Sequence, residues 1–129
     1  MKARISKPSE RKLLLYKAPE HHAVSVAAAA RAFGAEMIST EDCETPICTL
    51  LGEGEIPPTE TADKPDDECL LISGFDRQTL SELVDMLRDS GVRIPLKAMY
   101  TPHNRSWNFS QLIRELRKEH EYMNGGTKR

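Results

Sequence analysis

Apolar residues fall along this chain in two rhythms. Lys12–Tyr16 (KLLLY) and Cys69–Ser73 (CLLIS) are short apolar runs bounded by charged or turn residues, the pattern of buried strands. Ala35–Thr40 (AEMIST) reads as a further strand, and in Leu96–Tyr100 the positions Leu96, Ala98 and Tyr100 alternate with Lys97 and Met99. Between the strands the period changes. Ala23, Val26, Ala27 and Ala30 recur at helical spacing, as do Leu80, Leu83, Val84 and Leu87, with Gly34 and Gly91 as stops. Pro19 and Glu20 suit the first turn of one helix, and Asp76 caps the other, with Phe75 and Leu80 placed to close over the cap. Thr45-Pro46 opens a short helix closed by Gly52. Asn108 caps a last helix with Gln111 as its capping-box partner and Trp107 folding onto Leu112; this helix buries Leu112, Ile113 and Leu116, continues its stripe at His120 and Met123, and frays at Asn124-Gly125.

Shifting the first half by 57 positions lays Leu13 on Leu70, Leu14 on Leu71, Leu15 on Ile72, Val26 on Leu83, Ala30 on Leu87 and Gly34 on Gly91 without a gap. Two strand-helix-strand units in series predict an α+β fold, the ferredoxin-like split βαβ arrangement (βαββαβ), with an additional C-terminal helix. One sheet face is then open for that helix or for a partner.

Composition refines this picture. The 129 residues suit a single domain, 1–129, and with aromatics at 5 % its core must be mainly aliphatic. Residues 53–68 (EGEIPPTETADKPDDE) carry seven acidic residues and one lysine, which leaves the rest of the chain at +4 against an overall −2. So acidic and proline-containing a stretch cannot bury enough apolar surface to offset its ordering entropy, and is expected to form a mobile, disordered internal loop. The mild basicity elsewhere is interleaved with glutamate, so nucleic acid is not demanded as a partner. The first residues are mostly charged or polar and no apolar run reaches membrane-spanning length; with three cysteines at unpatterned spacing, the expected compartment is a reducing cytoplasm and the expected partner is no membrane.

Candidate chemistry gathers late in the chain. Lys97, Thr101, His103, Asn104, Arg105 and Trp107 fall at a strand end, a loop and a helix start. A helix start directs free N–H groups outward and favours an anion, so these residues are the candidate ligand-binding set for a small anionic ligand or a partner's carboxylate. Turn and capping chemistry explains many of the same residue types: Asn104 in a turn, Trp107 as a staple, Lys97 and Arg105 in solvent. A binding or regulatory module is therefore the first expectation, with a homodimer compatible. A small enzyme using Lys97, His103 and Glu115 is the second. No catalytic residue, metal or cofactor is assigned. Cys43 and Cys48 lack a second pair at zinc spacing, His21 and His22 point to different helix faces, and neither a nucleophile elbow nor a phosphate-binding glycine loop occurs. Glu115, Glu119 and Glu121 alternate with Arg114, Arg117 and Lys118 as on a solvated helix face, and Trp107 alone is a thin platform for RNA.

The later part of the chain resembles an uncharacterised bacterial family, domain of unknown function 3783. The resemblance rests on Gly74-Phe75, Leu96-Lys97-Ala98, the string Thr101, Asn104 and Trp107, then Glu115-Leu116 and Glu119-His120. It implies no particular activity.

Overall fold

The computed structural model describes residues 11–127, with side chains through Glu119. The order is β1 (Lys12–Tyr16), α1 (Glu20–Ala32), β2 (Glu36–Thr40), α2 (Ile47–Leu50), β3 (Cys69–Ser73), α3 (Arg77–Asp89), β4 (Leu96–Met99) and α4 (Phe109–Thr127). The repeat is visible in these bounds. β1 and β3, and likewise α1 and α3, have the same lengths and stand at the same offset of 57 residues, and Gly34 and Gly91 end the helices at φ 66° and 81°, where a Cβ would be strained.

The fold is α+β, with four strands in the order β2-β1-β3-β4. β1 pairs parallel with β2, β3 pairs parallel with β4, and β1 meets β3 antiparallel at the centre, Leu14 opposite Leu71. This corrects the ferredoxin-like expectation. A split unit holds its two strands one strand-width apart and joins β2 to β3 as a hairpin. Here each helix returns the chain to the strand next door, and 28 residues separate Thr40 from Cys69. Hairpin loops are two to five residues, so a connection this long is free to cross the end of β1 and start β3 on its far side.

Alternation along the central strands sorts two cores. Leu13, Leu15, Leu70 and Ile72 pack with Val26, Ala29 and Ala30 of α1 and Leu83 and Leu87 of α3. Leu14, Tyr16, Cys69 and Leu71 face the other way, onto Ile47 and Leu51 around α2 and Phe109, Leu112 and Ile113 of α4. The second sheet face is thus covered. His120 and Met123, placed on the apolar stripe from sequence, lie outside the described side chains. Helical backbone runs on to Thr127 rather than fraying at Asn124-Gly125, since glycine weakens a helix by about 1 kcal/mol without forbidding it.

Residues 53–68 form neither helix nor strand, and most are exposed. Their second half is nonetheless tied down over the α2/α4 face. Tyr16, fully buried and stacked on Phe109 with ring centroids 4.7 Å apart, donates through Oη to Pro65 O at 2.6 Å. Burial pushes its phenol up from the usual value, so it stays a donor. Ser110 Oγ donates to Asp63 O (2.8 Å), Thr61 N donates to Glu44 Oε2 (3.0 Å), Arg117 pairs with Asp67, and His22 Nδ1 lies 2.6 Å from Glu68 Oε2. Composition cannot reveal such anchors, because they use backbone carbonyls and single side chains from distant elements. Tyr16→Phe keeps the ring stack but leaves Pro65 O without its donor, and should lower stability by about 1 to 3 kcal/mol in urea melts. Amide exchange should be fast over 53–58 and slower over 59–68, and the variant should narrow that difference around Pro65. Uniformly fast exchange in the wild-type chain would contradict the anchoring.

Candidate functional site

β4 divides its side chains between the two cores. Leu96 and Ala98, followed by Tyr100, pack on the α2/α4 side, while Met99 packs on the α1/α3 side. Lys97 shares the parity of Met99 and so projects toward α3, where its Nζ donates to Ile94 O at 2.8 Å. Tyr100 prolongs the ladder, its N–H donating to Ile72 O (2.8 Å), and its hydroxyl donates to Glu53 Oε1 (3.1 Å). Burial, with the Glu53 carboxylate beside it, holds this phenol above its usual range.

The loop that follows is closed on itself by Thr101 and Asn104. Thr101 N–H donates to Asn104 Oδ1 (3.0 Å), Asn104 N–H donates to Thr101 Oγ1 (3.3 Å), and Asn104 Nδ2 reaches back to Met99 O (3.0 Å). Asn104 is buried, and Trp107 N–H donates to its carbonyl at 3.1 Å. The Thr-x-x-Asn-x-x-Trp spacing is therefore a turn device. Its outer carbonyls are engaged as well: Arg105 O accepts from Cys48 N (2.9 Å) and Trp107 O from Ile47 N (2.8 Å), which docks the start of α2 onto the loop. Trp107 is half-buried against the cluster that holds Leu112, and exposed His103 stands edge-on to it at 5.1 Å.

The start of α4 is similarly occupied. Asn108 Oδ1 accepts from Gln111 N (2.9 Å), as its capping spacing predicts, and Ser110 N donates to Cys43 O (3.2 Å). Two of the amides expected to greet an anion, those of Ser110 and Gln111, thus have acceptors within the chain. Of the six candidate residues the fold brings together Thr101, His103, Asn104, Arg105 and Trp107. Lys97 lies on the opposite face of the sheet, away from His103.

Lys97 belongs to a different feature. A pocket of about 510 Å³ opens between α3 and β4, lined by Val84, Leu87, Arg88, Val92, Arg93, Ile94, Pro95 and Lys97. Leu87, Val92 and Ile94 are buried beneath it, and the three cations stand around it. Arg88 is engaged with Asp85 at 2.7 Å, whereas neither Arg93 nor Lys97 pairs with a carboxylate among the described residues. Sequence reading missed Arg88 and Arg93, although a signal exists. The link from α1 to β2 is Phe33–Ala35, whereas that from α3 to β4 is Ser90–Pro95, three residues longer, and the added length supplies the wall of the pocket.

Other chemistry is muted. Cys43, Cys48 and Cys69 are buried free thiols, and burial, with Asp67 and Glu68 nearby, pushes the Cys69 thiol up to about 12. Among the described residues no group of three His, Cys, Asp or Glu could hold a metal ion, and no helix is long and apolar enough to cross a membrane.

Compared with known families, residues 68–123 match the model of a domain of unknown function, DUF3783. The match takes in β3, α3, β4, the Thr101–Trp107 loop and most of α4. No curated protein and no solved structure matches the chain.

Asn104→Ala removes two side-chain hydrogen bonds from a buried turn and should destabilise by about 1 to 3 kcal/mol, while His103→Ala on the exposed rim should stay within about 0.5 kcal/mol. Chemical denaturation of the two variants checks the assignment, and a larger loss at His103 than at Asn104 would reverse it.

Proposed function

We propose that this chain is a small non-catalytic binding module whose ligand occupies the pocket between α3 and β4. The observation that carries the reading is the pocket itself, an aliphatic floor ringed by Arg88, Arg93 and Lys97 in the unit whose helix-to-strand link is longer. Its size lies in the range of ordinary small-molecule sites, and a few polar groups over an apolar surface are what orient a ligand without transforming it. Among the described residues no thiol, carboxylate or imidazole lines it to act as nucleophile or base. An enzyme using Lys97 and His103 together is disfavoured because the two side chains project from opposite sides of the sheet. In this reading Thr101, Asn104 and Trp107 hold the fold, and Lys97 is the member of the sequence-predicted set that meets ligand.

An amphiphilic anionic dye, 8-anilinonaphthalene-1-sulfonate, tests for the pocket. The dye should bind the folded chain saturably and lose most of that binding in Val84→Trp, which fills the groove from α3. Val24→Trp, on a position of α1 that is 62 % exposed, should leave it intact. Equal binding in both variants, with cooperative urea transitions retained, would refute the assignment.

A further inference from the structure

The chemistry of the lining narrows the guest. Five aliphatic side chains, Val84, Leu87, Val92, Ile94 and Pro95, form the floor and one wall, so most of a bound molecule must be apolar to gain from burial there. Among the described residues all the formal charge lining the pocket is positive. An anionic head complements Arg93 and Lys97, which have no carboxylate partner among the described residues, better than a neutral or cationic one.

The kind of anion follows from what the pocket lacks. Phosphate sites characteristically present a cradle of backbone N–H groups at a helix start. This pocket lies beside the C-terminal half of α3, whose last residues are Arg88 and Asp89, so it has no cradle of helix-start amides to offer several phosphate oxygens at once. A dianionic head is poorly served there. Arg88 is already held by Asp85, and Lys97 gives one of its protons to Ile94 O, which leaves Arg93 and the remaining ammonium protons of Lys97 for a small monoanion. Arginine's planar fork matches a flat two-oxygen head.

We propose that the pocket binds an aliphatic carboxylate, its chain against Val84, Leu87, Val92 and Ile94 and its head between Arg93 and Lys97. This deepens the binding-module reading and rests on it. The groove borders β4, an edge strand, so a second copy of the chain is the competing occupant.

Titration calorimetry on the full chain, with hexanoate, octanoate and decanoate kept below their micelle concentrations, tests the class. Affinity should rise roughly fourfold per added methylene until the groove is full. Octanoate should bind about fivefold or more tighter than octanamide, and octyl phosphate should be no tighter than octanoate. The double variant Arg93→Gln, Lys97→Gln should abolish the preference for octanoate over octanamide while octanamide itself still binds, and high salt should reduce that preference. Equal affinity for octanoate and octanamide, a clear preference for octyl phosphate, or an unchanged preference in the double variant would overturn the carboxylate assignment. A stable dimer in solution that Val84→Trp dissociates would overturn it in favour of a second copy. The two levels separate cleanly. If Val84→Trp blocks the dye yet carboxylates show no advantage, the ligand class fails alone, whereas if it blocks neither dye nor octanoate, the pocket itself is not the site.

Discussion

The antiparallel junction of β1 and β3 is the constraint on which the rest of the molecule depends. Both strands are buried on both faces, and Leu14 lies opposite Leu71, its own counterpart in the repeat. A pseudo-twofold axis therefore runs through the middle of the sheet. Odd and even positions then feed different cores: Leu13 and Leu15 face α1 and α3, Leu14 and Tyr16 face α4. Each fully buried aliphatic side chain contributes roughly 1.5 to 3 kcal/mol, so a one-residue slip, which would exchange the two sets, is strongly disfavoured. Tyr16 shows how tightly the second core is specified, because its ring must stack on Phe109 while its hydroxyl meets Pro65 O.

Symmetry about that axis makes the departures from it informative. The central strands and long helices of the two units correspond residue for residue, and the link after the helix does not: Phe33–Ala35 is tight, Ser90–Pro95 is long and carries Arg93, Ile94 and Pro95 into the pocket. The proposed ligand site therefore lies where the second unit departs from the first. The matched segment 68–123 spans that unit and most of α4, yet α4 packs its Phe109 against Tyr16 of the first unit, so the two halves share one core.

Much of this was legible in the sequence. β1 and β3 begin and end where their apolar runs do, Asp76 caps α3 through Thr79 N at 2.8 Å, and Asn108 caps α4, because these are local effects of side-chain spacing. Sheet order was not legible from the pattern alone. Buried runs place β1 and β3 at the centre in either topology, and only the 28-residue connection between Thr40 and Cys69 argued against a hairpin. Of the site, the turn role of Asn104 could be read from residue type, while the face of Lys97 required the parity of Leu96–Met99 to be tied to a particular core. Arg88 and Arg93 carried no motif. Their meaning comes from the three-residue difference between two links that the repeat had set side by side.

Cross-strand proton contacts in an isotope-labelled sample test the central junction most directly. Antiparallel pairing in the observed register places Lys12 beside Ser73 and Tyr16 beside Cys69. Nuclear Overhauser contacts between these two pairs, with Leu14 Hα and amide protons contacting those of Leu71, are the predicted result. Contacts joining Lys12 to Cys69 and Tyr16 to Ser73 would mean a parallel centre, and with it a different sheet order and no basis for the pocket beside β4.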